Sequence, residues 1–190
     1  MKTSTTNSLL IVGGIAVVLG IGTLLMIGCL LGGYLVGARL VNSDTEDKTQ
    51  SLIDVEAPDF QLSTITGETL QLSELQSKAV MVNFWASWCN PCVAEMPTLQ
   101  AFSEKYHQDL IILGVNANES QRDVVGFVEQ AGLTFPILLD PGSKVEDLYH
   151  IRAFPTSFFI DQEGIVRAVH IGTLSESLLD GYLEQIGVGK

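Results

Sequence analysis

The chain has 190 residues, with 22 acidic side chains against 10 basic ones and a formal net charge of -12. That balance excludes a nucleic-acid binder, which needs a basic patch, and disfavours docking onto an anionic lipid surface. The length accommodates one domain with a sizeable core plus an additional segment, and the N-terminus accounts for the high mean hydropathy of +0.31.

Residues 1–8 are short and polar, with Lys2 the only charged side chain. No residue from Leu9 to Ala38 is charged. As a helix this run would reach about 45 Å, longer than the roughly 30 Å hydrocarbon core of a bilayer. The competing reading is a cleaved secretory signal, for which Val36-Gly37-Ala38 resembles a cleavage site. A signal's apolar region is only about 7–15 residues long, so one retained transmembrane helix over 9–38 is expected. Cys29 follows Met26-Ile27-Gly28, a poor echo of a lipoprotein box, and apolar residues continue after it. It reads as a small apolar filler. Gly28 with Gly32, and Gly33 with Gly37, have the spacing of a helix-packing motif. Basic residues barely decide orientation, with Lys2 on one side and Arg39 and Lys48 on the other. Residues 39–54 are polar and acidic and read as a linker.

The domain is expected over 55–190. Phe60-Gln61-Leu62 and Leu70-Gln71-Leu72 alternate in strand fashion around Thr66-Gly67, a hairpin pattern. Ala79 to Ala86 reads as a buried central strand. Asn90 to Tyr106 reads as a helix, kinked where Pro97 removes a hydrogen bond. Leu110 to Asn116 is a second buried strand. Ser120 to Ala131 carries an apolar helical face that Gly132 ends. Pro136 to Leu139 is a short strand and Lys144 to His150 a short helix. Thr156 to Ile160 and Ile165 to Ile171 form a hairpin, and Ser175 caps a closing helix to Ile186. Strands alternating with helices imply an α/β fold, a mixed sheet covered on both faces.

Trp88-Cys89-Asn90-Pro91-Cys92 stands where the central strand feeds the long helix. A helix start carries unsatisfied N–H groups and roughly half a positive charge. A thiolate there is stabilised, and its pKa falls from about 8.5 toward 7 or below. The second cysteine lies one turn on, within bonding reach, so the pair can cycle between dithiol and disulfide. Zinc would need a second ligand pair. The remaining cysteine, Cys29, is far upstream, and His107, His150 and His170 are scattered singly, so no metal site is expected. A static bridge over so short a loop would remove little chain entropy.

Val82-Asn83-Phe84-Trp85-Ala86-Ser87-Trp88-Cys89-Asn90-Pro91-Cys92, with Phe154-Pro155-Thr156 downstream, resembles the thioredoxin superfamily. More closely, the chain looks like the membrane-anchored TlpA/ResA-type thiol-disulfide oxidoreductases. Four separated features carry that resemblance: the Ala57-Pro58-Asp59-Phe60 opening, the Cys-x-x-Cys turn, Glu95 with Pro97, and the Phe-Pro-Thr segment. It covers roughly Val55 to Ile186, and the helix and strand between Ser120 and Leu139 resemble the subfamily's central insert. It implies a thioredoxin-like fold, with Cys89 as the exposed nucleophile and Cys92 as the buried resolving thiol. Pro155 matches a cis-proline beside the sulfurs, which turns the backbone so that Phe154 pairs with an incoming peptide. Trp88 would pack over the sulfurs. Asn83 stands where thioredoxin has a buried aspartate and cannot take a proton. Glu95, on the same helix face as Cys92, resembles a glutamate these proteins use near the thiols. Burial would raise its pKa and fit it to shuttle the proton of Cys92.

The expected function is reduction of protein disulfides outside the cytoplasm, where thiols tend to be oxidised. By resemblance one substrate is the haem-binding cysteine pair of apocytochrome c, with electrons arriving from a transmembrane thiol carrier. The domain would sit on the outer face of a bacterial plasma membrane. No cofactor is expected, because the cysteines carry both electrons. The oligomeric state is left open. A peroxiredoxin shares the Ala-Pro-Asp-Phe opening, but it places a threonine where Ala86 stands. A non-catalytic peptide-binding module would not need the two cysteines.

Overall fold

The computed structural model describes residues 48–189, so the expected membrane helix at 9–38 lies outside the described residues. Among the described residues no helix is long and apolar enough to cross a membrane. The elements are β1 (Gln61–Thr64), β2 (Thr69–Gln71), a 3-10 turn (Leu72–Leu75), β3 (Ala79–Trp85), α1 (Asn90–Lys105), β4 (Leu110–Ala117), α2 (Gln121–Ala131), β5 (Ile137–Asp140), α3 (Lys144–Leu148), β6 (Thr156–Ile160), β7 (Val166–Ile171) and α4 (Glu176–Gln185). Seven strands form one mixed sheet in the order β2-β1-β5-β4-β3-β6-β7. β3, β4 and β5 run parallel, while β6 is antiparallel to β3 and β7 to β6. The β1–β2 hairpin joins antiparallel to β5.

Every residue of β3 is buried, as a strand covered on both faces requires. Met81 and Trp85 point to the face packed by α1, α2 and α4, where Met96, Leu99, Val124, Val128, Leu179 and Leu183 meet them. Val80, Val82 and Phe84 point to the opposite face, where Phe60, Val145, Tyr149 and Ile151 close the core. Tyr149 satisfies its buried hydroxyl by donating to the Pro58 carbonyl at 2.7 Å. Phe84, Tyr149 and Phe158 form a cluster of tilted and edge-on rings there.

α1 buries Cys92, Glu95, Met96, Leu99 and Phe102 along one side and runs unbroken from Asn90 to Lys105 through Pro97. α2 starts at Ser120, whose hydroxyl accepts from the Asp123 N–H, and ends at Gly132 with φ of 66°. This left-handed C-terminal position is one that glycine takes without steric penalty. Gly114 is required for space instead: a Cβ there would come within 2.7 Å of Ile137 Cδ1 and 3.1 Å of Trp85 Nε1.

The expected linker differs at its C-terminal end, because residues from 48 onward are part of the folded unit. Thr49 is buried and its hydroxyl donates to the His150 carbonyl. Leu52 and Ile53 pack on the second core, and the Asp54 N–H donates to Val166 O. The local composition is polar, but these contacts are long-range and leave no trace in it.

Candidate active site

β3 ends at Trp85, and a short turn carries the chain into α1. Cys89 is the N-cap of α1 in an extended conformation, and its sulfur accepts from the Cys92 N–H at 3.2 Å. Pro91 sits in the first turn, where its missing N–H would have had no helical partner. Cys89 and Cys92 are joined in a disulfide, with Cα atoms 5.3 Å apart. Cys89 is 6% exposed and Cys92 fully buried. The expectation of an exposed Cys89 is therefore corrected: in the disulfide state both sulfurs are enclosed. The exposed group is Trp88, at 65%. Its ring meets Phe154 edge-on at 5.9 Å, which sets the Phe154–Pro155 segment beside the cysteine turn. The peptide bond between Phe154 and Pro155 is cis.

Glu95 lies one turn beyond Cys92 and is 1% exposed, so it is no solvated surface glutamate. One carboxylate oxygen accepts from Asn83 Nδ2 at 2.9 Å and the other from the Leu174 N–H at 2.8 Å. Burial pushes its pKa up, against the lowering effect of these two hydrogen bonds. Burial prevails, since each donor is neutral and the charged form has lost its water. Asn83 also donates to Ser157 Oγ at 3.0 Å, and its own carbonyl oxygen has no partner among the described residues.

Sequence reasoning missed a second carboxylate beside the turn. Glu119, between β4 and α2, accepts from the Ser87 N–H at 2.7 Å and from the Ser87 hydroxyl. Buried Asn116 donates to the same carboxylate at 2.7 Å. Ser87 is two residues before Cys89, so this clasp ties the active-site turn to the start of α2. Its only sequence signal is a carboxylate next to a helix N-cap, which is common. Ala86 is buried and carries no hydroxyl, so the site lacks the threonine the peroxide alternative asks for. Among the described residues no cluster of three or more potential metal ligands occurs.

A mixed sheet, a disulfide at the mouth of a helix and a cis-proline segment beside it define a thioredoxin-like thiol-disulfide oxidoreductase. The chain matches the AhpC/TSA family over residues 53–169. It is 38% identical over 152 residues to the thiol-disulfide oxidoreductase ResA of Bacillus anthracis, covering 80% of this chain and 88% of that one. It is 36% identical over 132 residues to the thioredoxin-like protein YneN of Bacillus subtilis (strain 168), covering 68% and 77%. A protein assigned as the thiol:disulfide interchange protein DsbE of Chlorobium tepidum superposes with a TM-score of 0.66 at 32% identity, over 71% of this chain and 98% of that one. The pneumococcal exposed lipoprotein thioredoxin Etrx1 of Streptococcus pneumoniae strain TIGR4 gives 0.60 at 31%, over 67% and 99%. The chain belongs to the AhpC/TSA family and is related to the ResA-type thiol-disulfide oxidoreductases.

Proposed function

We propose that this oxidoreductase reduces protein disulfides at the outer face of a bacterial plasma membrane, with Cys89 as nucleophile and Cys92 as resolving thiol. The observation that carries the reading is the Cys89–Cys92 bond at the N-terminus of α1 with Glu95 buried one turn further on. In the dithiol form the Cys89 thiolate attacks one sulfur of the substrate disulfide, forming a mixed disulfide and releasing the other sulfur as a thiolate. Cys92 gives its proton to the Glu95 carboxylate and attacks Cys89 Sγ. The mixed disulfide breaks, the second substrate sulfur leaves, and the enzyme holds the oxidised pair. Two electrons have passed from Cys89 and Cys92 to the substrate. A raised Glu95 pKa suits a group that must accept a proton near neutral pH.

On this reading Trp88 and Phe154, whose rings meet edge-on, form the apolar rim over which the substrate peptide lies, with Pro155 following Phe154 in the same binding segment. Regeneration needs a donor dithiol, which we assign to a thiol carrier within the membrane. The uncharged run from Leu9 to Ala38 supports a single-pass anchor with the C-terminal domain outside. The likeness to an exposed lipoprotein thioredoxin supports the same side. Apocytochrome c, with its paired haem-binding cysteines, is the proposed physiological substrate.

The test is a Cys92→Ser variant of the full-length protein incubated with oxidised apocytochrome c. A mixed disulfide through Cys89 that dithiothreitol releases is expected. Failure to trap any disulfide substrate would overturn the nucleophile assignment.

A further inference from the structure

The buried Glu95 carboxyl is linked to a histidine on an edge strand. β7 is the last strand of the sheet, and His170 on it is half-buried. In the ladders, Asn83 of β3 lies opposite Ser157 of β6, and Ser157 lies opposite His170 of β7. Residues paired across antiparallel strands point to the same face. Asn83, Ser157 and His170 therefore form one polar row across the face that carries α1 and α4, and Glu95 hangs over its inner end.

A second connection closes the circuit. His170 Nε2 lies 3.4 Å from the Thr173 carbonyl oxygen, and Nδ1 lies 3.2 Å from the Tyr182 hydroxyl. Thr173 C=O and Leu174 N–H belong to one peptide unit, and that N–H donates to Glu95 at 2.8 Å. The imidazole thus stands at the carbonyl end of the same peptide whose amide end holds the carboxylate. A neutral imidazole protonated at Nε2 donates to Thr173 O and accepts from Tyr182. A protonated one donates at both nitrogens, adds a positive charge and polarises the peptide further toward Glu95.

We propose that His170 is a positioning residue for Glu95, transmitting its own charge state to the buried carboxyl through the Thr173–Leu174 peptide. The link would couple the proton held on Glu95 to the proton held on the His170 ring. The inference rests on the reading of Glu95 as the group that takes the Cys92 proton. The groups hydrogen-bonded to Glu95 are Asn83 and the Leu174 N–H, neither ionisable. Facing His170 are the Tyr182 phenol from α4 and Ser157 from β6, while Glu176 and Asp180 of α4 act on Lys105 of α1.

The test is an NMR titration of the full-length protein that follows the Glu95 carboxyl carbon and the His170 ring. Linkage is reciprocal. His170→Gln should raise the Glu95 midpoint by about half a unit, and Glu95→Gln should lower the His170 midpoint by the same amount. In the unsubstituted protein, the Leu174 amide shift should carry an inflection at the His170 midpoint, a readout that needs no variant to fold. Midpoints indifferent to each other, with a Leu174 amide that ignores His170, would overturn the proposal. Thiol reactivity of the same Glu95→Gln variant separates the two readings: an unchanged pH profile there overturns the proton-holder role itself.

Discussion

The amide of Asn83 donates to the carboxylate of Glu95 across 2.9 Å, with both side chains inside the core. The pair joins the central strand to the helix that carries the cysteines, and it leaves a carboxyl where charge is costly. Burial raises the Glu95 pKa. A carboxyl whose folded pKa lies above its unfolded value contributes stability that is fully present below the ordinary glutamate range, about pH 4. That contribution is lost as the pH rises through the raised folded value. Glu95→Gln should remove this decline, so the variant gains on the parent as pH goes from 4 to 8. Urea unfolding of both proteins across that range checks it, and parallel stability curves would contradict it.

The clasp of Ser87 by Glu119 makes a different prediction. Glu119→Ala leaves the Ser87 N–H and the buried Asn116 amide without their acceptor, at a cost of about 1–3 kcal/mol. Ser87→Ala removes only the hydroxyl bond and should cost less. Chemical denaturation gives both values. Because the clasp lies two residues from Cys89, Glu119→Ala should also shift the glutathione redox equilibrium of the pair, whereas a distant substitution of equal cost should not.

Trp88 is largely exposed yet touches Phe154. Trp88→Ala should therefore change stability by less than about 0.5 kcal/mol. On a protein disulfide it should raise KM with little change in kcat, and on a small disulfide such as oxidised glutathione it should do nearly nothing. Steady-state kinetics with the two substrates provide the comparison.

Gly114 admits β5 against β4 and leaves room for the Trp85 ring. Gly114→Ala forces Ile137, Trp85 and Phe135 aside and should destabilise by about 1–3 kcal/mol. Thermal unfolding measures it. An unchanged midpoint would mean the interface yields without loss.

The parts of this molecule that sequence displays are those whose signal is local. An apolar run entering Trp88-Cys89-Asn90-Pro91-Cys92 is legible because strand, turn and helix start are consecutive, and Ser120 and Gly132 mark α2 with their own chemistry. The place of Glu95 on the helix face of Cys92 is readable too, from a spacing of three residues. What sequence did not display depends on distant partners. The Glu119–Ser87 clasp spans 32 residues and uses common residue types. The packing of Thr49 against His150 spans 101 residues, so a polar stretch read as a linker is partly folded. The burial of Cys89 comes from tertiary packing, and no spacing rule reports it.

The proposed mechanism has a sulfur at the start of α1 that is acidified there and forms the first bond with substrate. Its most direct test is the rate of alkylation of the reduced full-length protein as a function of pH, with each cysteine read by mass spectrometry. Cys89 should be modified well before Cys92, with a midpoint below the ordinary thiol value of about 8.5. A Cys89 midpoint at or above that value, or faster modification of Cys92, would contradict it.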